Sequence, residues 1–133
     1  MGLDQYAYSI PSGIELYGEK SDDRRKQIGT WRKHNRLQGY MEQLAIDKGI
    51  IKEGDVFNTT PVKLSLKDID DLEHSIQNRL LPETGGFFFG IDSYESEGEW
   101  SYENLDLPKD MSFIEKAREA LNAGYDVYYD CWW

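Results

Sequence analysis

The chain has few of the residues that cross-link a protein or anchor it in a membrane. Cys131 is the single cysteine among 133 residues, which excludes a disulfide within the chain and favours a reducing compartment. There is no run of about 18 apolar residues, so the sequence predicts no membrane span. The first residues lack the basic and apolar regions of a signal peptide. We therefore expect a cytoplasmic protein.

Residue sets that mark catalysis or metal binding are also scarce. His34 and His74 are the two imidazoles, and the sequence contains no nucleophile elbow, HExxH, CxxC or phosphate-loop motif. A calcium loop read from Ser93 lacks the leading Asp and has Asn104 where the bidentate Glu belongs. The sequence therefore predicts no metal site and no cofactor, and it offers no recognisable catalytic set.

Charge and aromatic side chains, in contrast, are plentiful. Hydrophobic residues are 39% and charged residues 30%, with 9 Tyr, 5 Phe and 4 Trp, which predicts one globular domain over residues 1–133. The net charge of −10 is unevenly placed, with a balance of +4 from Ser21 to Lys52 and −7 from Glu83 to Asp110. Because an acidic surplus repels phosphate, we expect no direct nucleic-acid binding.

Hydrophobic periodicity predicts the elements of the first half. Alternation over residues 3–10 predicts a strand that ends at a Pro-Ser-Gly turn, and residues 14–17 are apt for a short second strand. Between Asp23 and Lys48 the apolar residues, Ile28 and Trp31 among them, follow a helical period. This region is therefore predicted to be one long helix.

The second half is predicted to contain two helices and further extended segments. These are an extended segment over residues 61–64, a helix from a Ser65–Asp68 capping box to Pro82, an aromatic strand over residues 85–90, a helix capped by Asp110 or Ser112 that stops at Gly124, and a strand over residues 125–133. The order favours an α+β fold, with a small mixed or antiparallel sheet packed against about three helices. We expect the first strand, the Phe87–Phe89 strand and the Val127 strand to share one sheet, with the Trp31 helix packed on it.

The first candidate site lies around the segment WRKHN at residues 31–35. Trp31, His34 and Asn35 are spaced i, i+3 and i+4, so on a helix they share a face and would hold a planar or anionic ligand such as a nucleotide. The candidate set is Asp4, Trp31, Arg32, His34, Asn35 and Asp92. In the alternative interpretation Trp31 belongs to the core, Asn35 is a buried amide, and His34 lies at the edge of the apolar stripe.

The second candidate is the acidic stretch that includes Asp92, Glu95, Glu97 and Glu99. Charges of one sign attract a basic partner and raise the association rate more than the affinity. The leading hypothesis is a non-enzymatic protein that binds another protein through this stretch. A weaker alternative is an acidic mimic of nucleic acid that blocks a DNA-binding protein. Solubility alone would also explain such charge.

Four motifs, spread over nearly the whole chain, carry a resemblance to a known family. They are MGLDxY at residues 1–6, WRKxN at residues 31–35, LPxxGGFFFG at residues 81–90 and YDVYY at residues 125–129. In this order they resemble a family of small bacteriophage proteins, including cyanophage proteins, whose function is not established. The resemblance implies an intracellular phage accessory protein, and it carries no catalytic residues. The chain departs from the family pattern in the acidic stretch after Gly90.

Overall fold

The structure is a computed structural model that describes residues 3–18, 24–32, 34–82, 85–86, 90–91 and 106–133. Its centre is a four-stranded antiparallel sheet of β1 (Asp4–Pro11), β2 (Lys26–Trp31), β3 (Val62–Leu64) and β6 (Tyr125–Trp132). The strand order in this sheet is β2-β1-β6-β3. A separate pair consists of β4 (Gly85–Gly86) and β5 (Gly90–Ile91).

Three helices in the described residues pack with the sheet. They are α1 (Asn35–Asp47), α2 (Leu66–Gln77) and α3 (Leu107–Asn122). In the part of the chain that the structure describes, no helix is long and apolar enough to cross a membrane. The predicted α+β class, with one small sheet and three helices, is confirmed.

Strand alternation divides the side chains between two faces of the sheet. Gln5, Ala7 and Ser9 of β1 are buried, whereas Tyr6 and Tyr8 between them are half-buried. The buried face packs against the helices, because successive strand residues point to opposite sides. The largest fully buried apolar side chains of the resulting core are Trp31, Tyr129, Phe57, Phe113, Leu3, Leu37, Met41, Ile69, Leu72, Ile76 and Ile114.

The helix predicted between Asp23 and Lys48 is wrong in its first half. Residues 26–31 form β2, and α1 begins only after its N-cap, His34. The cause is a β-bulge, because Gly29 pairs with Ala7 and Gln27 pairs with Tyr8, which leaves Ile28 as an extra residue. The bulge places buried Ile28 and Trp31 three residues apart, which is the spacing of a helix.

Three boundary predictions are also wrong. Residues 14–17 lie in turns rather than in a strand. The second helix ends at Gln77, well before Pro82, because Arg79 adopts the left-handed conformation with φ of 55°. The third helix begins at Leu107 with Asp106 as its N-cap, so Asp110 lies within the helix and is buried.

The glycines around the predicted aromatic strand do not join the main sheet. Gly86 pairs with Gly90 in the separate β4–β5 pair, while Phe87–Phe89 lie outside the described residues. Trp31 belongs to the sheet itself rather than to a helix packed on it. The other expected members of the sheet, the first and last strands, are adjacent along all eight residues of β1.

Candidate functional site

Asp110 meets two side chains from a distant part of the sequence, Trp31 and His34, in the interior beneath the sheet. Trp31 Nε1 donates a hydrogen bond to Asp110 Oδ1 over 2.9 Å, and His34 Nε2 lies 2.9 Å from Asp110 Oδ2. Exposed fractions are 2% for Trp31, 0% for His34 and 1% for Asp110. The Trp31 ring also packs edge-on against Phe113 with a centroid distance of 5.3 Å. The group therefore ties β2, the start of α1 and the first turn of α3 together.

The hydrogen bonds assign the proton on His34. Its Nδ1 accepts from the backbone N–H of Leu37, which makes His34 the N-cap of α1. Nε2 therefore carries the hydrogen and donates to the Asp110 carboxylate. A His–Asp pair of this kind suits general-base chemistry only where a substrate reaches the imidazole. Both ring nitrogens already form hydrogen bonds and the side chain is fully buried, so the pair stabilises the fold.

A second set of buried hydrogen bonds continues from His34 across the core. The Gln5 amide accepts from the His34 backbone N–H over 2.6 Å and donates to Tyr129 Oη over 2.9 Å. Tyr129 Oη donates to Gln38 Oε1, and Gln38 Nε2 lies 3.1 Å from Cys131 Sγ. Burial raises the pKa of the Tyr129 phenol well above its ordinary value, so the phenol stays neutral and remains a donor.

The opposite face of the sheet carries a row of aromatic side chains that the helices do not cover. Residues directly opposite in antiparallel strands share a face, so Tyr128 lies beside Tyr8, and Trp132 beside Asp4. Tyr6 stacks on Tyr8 with a centroid distance of 6.2 Å. We call Tyr6, Tyr8, Tyr17, Tyr128 and Trp132 the tyrosine face. Trp132 is 64% exposed.

Tyr17 joins this face from the connection between β1 and β2. Its ring meets Tyr8 edge-on at 6.4 Å, and its hydroxyl donates a hydrogen bond to Asp130 on β6. The Arg25 guanidinium lies 5.2 Å from the Tyr8 ring and 5.1 Å from the Tyr17 ring, within cation–π range. Burial raises the pKa of the Tyr17 phenol, and its hydrogen bond to Asp130 adds to the effect. The connection is thus fixed on the sheet while the Tyr17 side chain is 55% exposed.

Charges on this face are arranged as opposite pairs. Arg32 lies 3.3 Å from Asp4 at one end of β1, and Lys63 lies 3.6 Å from Asp126 at the other side. The face therefore combines partly exposed aromatic surface with little net charge of either sign. In the described residues no group of three or more His, Cys, Asp or Glu side chains is placed to hold a metal ion.

Comparison with known proteins adds no identification. No protein-family model, no curated protein and no solved structure matches this chain. The function has to follow from the chain's own residues.

The structure separates the residues that the sequence had grouped. Trp31, His34 and Asn35 are buried and offer a ligand no surface, whereas Arg32 and Asp4 form a pair at the surface nearby. The remaining predicted binding residues, Asp92, Glu95, Glu97 and Glu99, lie outside the described residues.

Sequence reasoning missed two features of the site. Asp110 was considered only as a helix cap, and nothing local signals that a residue 76 positions after His34 is its partner. The tyrosine face, however, was within reach. Tyr6 and Tyr8 alternate in the first strand, and Tyr128 and Trp132 alternate in the last, so pairing these two strands would have placed all four on one face.

Proposed function

We propose that the chain is a non-enzymatic binding protein that recognises another protein through the tyrosine face. The observation that carries this proposal is the aromatic row of half-buried Tyr6, Tyr8 and Tyr128 with exposed Tyr17 and Trp132, against which Arg25 packs. Tyr, Trp and Arg are the side chains most enriched at the energetic centres of protein interfaces. Hydrogen bonds and stacking hold Tyr6, Tyr8 and Tyr17 in place, so little conformational entropy is lost on binding.

Charge favours a protein over a nucleic acid as the partner. Aromatic sheets that bind single-stranded nucleic acid combine stacking rings with a basic groove. The basic side chains on this face are Arg25, which lies over the Tyr8 and Tyr17 rings, and Arg32 and Lys63, which lie beside carboxylates, so the face has no continuous basic groove. The whole chain carries −10, which opposes approach to phosphate.

The biological setting follows from the motif resemblance. We propose an accessory protein of a bacteriophage that acts in the host cytoplasm on a host or phage protein. In this proposal the acidic stretch of Asp92, Glu95, Glu97 and Glu99 also contributes to binding, because it raises the rate of association with a basic partner. The tyrosine face supplies the affinity.

The test compares three baits in the same host lysate: the wild-type chain, Trp132→Ala and Tyr125→Ala. Tyr125 is a matched control because it is a 44% exposed aromatic residue on the same strand, and its side chain points to the opposite face of the sheet. Proteins retained by wild type and Tyr125→Ala but lost by Trp132→Ala are then purified and measured by interferometry. We expect Trp132→Ala to weaken binding by at least about 10-fold, or roughly 1.4 kcal/mol.

Folding is checked separately by urea unfolding. Because Trp132 is exposed, its replacement should change stability by no more than about 0.5 kcal/mol. Equal binding by all three baits would contradict the proposal. A 20-nucleotide single-stranded DNA or RNA that binds wild type and not Trp132→Ala would replace the protein partner with a nucleic acid.

A further inference from the structure

A groove lies between β2, the terminal strand of the main sheet, and α3. Its volume is about 370 Å³, within the range of ligand sites. One wall is a continuous stretch of β2, and the other is α3 from Pro108 to Lys116. The lining residues are Gln27, Ile28, Gly29, Thr30, Pro108, Lys109, Ser112 and Lys116.

The groove is basic within an acidic protein. Its lining includes Lys109 and Lys116 and no acidic residue, although the chain carries −10. Both lysines are exposed, and within the described part of the chain neither takes part in a salt bridge. Lys48, Lys63 and Lys67, in contrast, each lie beside a carboxylate. The groove therefore presents two uncompensated positive charges to whatever enters it.

The strand wall offers backbone as well as charge. β2 is the terminal strand in the sheet order, so among the described residues its outer edge has no neighbouring strand. An outer strand edge presents a row of N–H and C=O groups that an extended peptide can pair with. The bulge at Ile28 twists the strand, which disfavours a long partner strand or a second sheet and leaves room for a short peptide.

The spacing of the two walls fits such a peptide. Lys109 and Lys116 are seven residues apart on a helix, so their Cα atoms are about 10 Å apart along its axis. Acidic residues two positions apart on a strand are about 7 Å apart, and those four positions apart are about 13 Å apart. The flexible lysine side chains can make up the difference between the spacing of the two lysines and either spacing of the acidic residues. An acidic residue at every second position would therefore meet both lysines.

We propose that this groove binds an extended acidic peptide of a partner protein, which adds as a strand to β2 and places its carboxylates against Lys109 and Lys116. The assignment rests on the groove's charge and its open strand edge. It is independent of the tyrosine face, so either proposal can fail without the other.

The test uses the full chain and the blocked peptide acetyl-Glu-Val-Glu-Thr-Glu-Val-Glu-amide, titrated by calorimetry up to 1 mM. We expect saturable binding that the double variant Lys109→Gln/Lys116→Gln weakens by at least about 10-fold. The matched control is Lys52→Gln/Lys67→Gln, which removes the same charge from two exposed lysines elsewhere and should weaken binding less than about twofold.

Strand addition has its own signature. Only alternate N–H groups of an added strand face β2, so N-methylation of one alternate set should abolish binding while methylation of the other set leaves it within about threefold. Amide exchange should slow in residues 26–31 on binding and stay unchanged in the other edge strand, β3. Equal binding of both methylated peptides, unaltered affinity in Lys109→Gln/Lys116→Gln, or no binding at 1 mM would overturn the proposal. So would a dimer of the chain that Lys109→Gln/Lys116→Gln dissociates, because a second copy would then fill the groove.

Discussion

Asp110 joins two elements through a single carboxylate. Its two oxygens accept hydrogen bonds from Trp31 Nε1 and His34 Nε2, and all three side chains are at most 2% exposed. A buried donor that loses its acceptor costs more free energy than the bond contributes when it is made. Removing the carboxylate would leave both donors without this partner in a site that water does not reach.

We expect Asp110→Ala to lower the free energy of unfolding by about 2–6 kcal/mol, because it removes the acceptor of two buried donors and each such loss costs about 1–3 kcal/mol. Trp31→Phe, which keeps most of the ring and removes one donor, should cost about 1–3 kcal/mol. The double variant Trp31→Phe/Asp110→Ala should lose about 1 kcal/mol less stability than the sum of the two single variants, because both changes remove the same Trp31–Asp110 hydrogen bond. Urea unfolding measures all three. Glu115→Ala, on the exposed side of the same helix, should change stability by under about 0.5 kcal/mol. Strict additivity would argue against a shared bond.

Trp31 and His34 do lie close together, but not on one helix face as the sequence suggested. Their spacing suggested one helix face, whereas Trp31 lies at the end of β2 and His34 caps α1. What brings them together is Asp110, which contacts both from α3. Local spacing describes neighbours along one element, and this contact depends on how α3 packs against the sheet. It could not be predicted from either segment alone.

Among the elements, α2 shows how local chemistry fixes a boundary. Ser65 Oγ accepts from the Asp68 backbone N–H over 3.2 Å, and Asp68 accepts from the Ser65 backbone N–H over 2.9 Å. Lys48 of the preceding helix end forms a salt bridge with the same carboxylate. Burial opposes the ionisation of Asp68, but these hydrogen bonds outweigh it and hold the pKa of the carboxyl below its usual 3.8.

The pH dependence of this cap follows from the sign of the shift. Because the folded pKa of Asp68 lies below the unfolded one, the stabilisation is complete above about pH 4 and is lost as pH falls through the folded pKa. Asp68→Asn should therefore cost about 0.5–1 kcal/mol at pH 7 and a smaller amount at pH 3. Urea unfolding at both pH values tests this. Asp71→Asn in the same helix, where the carboxylate is exposed, should cost under about 0.5 kcal/mol. An equal cost of Asp68→Asn at both pH values would contradict the assignment.

Elements with signals inside a few residues were predictable, and those set by a partner strand were not. The Ser65–Asp68 capping box, the alternation of the first and last strands and Gly124 after the third helix, with φ of 87°, are all confirmed. β2 was misassigned because its bulge exists only through pairing with β1. Because of the bulge, the buried residues Ile28 and Trp31 are three residues apart instead of two. The remaining local sign against a helix was Gly29, since glycine is a weak helix former.

Across the whole molecule, charge gives each candidate surface a different dependence on salt. The tyrosine face pairs its charges, the β2 groove is basic, and the acidic stretch from Asp92 to Glu99 contains no basic residue. Screening length falls from about 10 Å at 0.1 M salt to about 3 Å at 1 M. Long-range attraction by unpaired charge is therefore suppressed, whereas contact between aromatic surfaces is not.

We expect the acidic stretch to act on the association rate of the partner that the tyrosine face captures. Glu95→Gln/Glu97→Gln/Glu99→Gln should lower the association rate constant about 3–10-fold at 0.1 M salt and leave the dissociation rate within about twofold. At 1 M salt the wild-type association rate should fall to that of the variant. Trp132→Ala should act in the opposite way, on the dissociation rate, because it removes contact surface. Interferometry resolves both rates.

The control Glu53→Gln/Asp71→Asn/Glu115→Gln removes the same charge from scattered exposed positions. If it slows association equally, net charge rather than the acidic stretch steers the encounter, and an association rate unchanged in the first variant would remove the stretch from the interface.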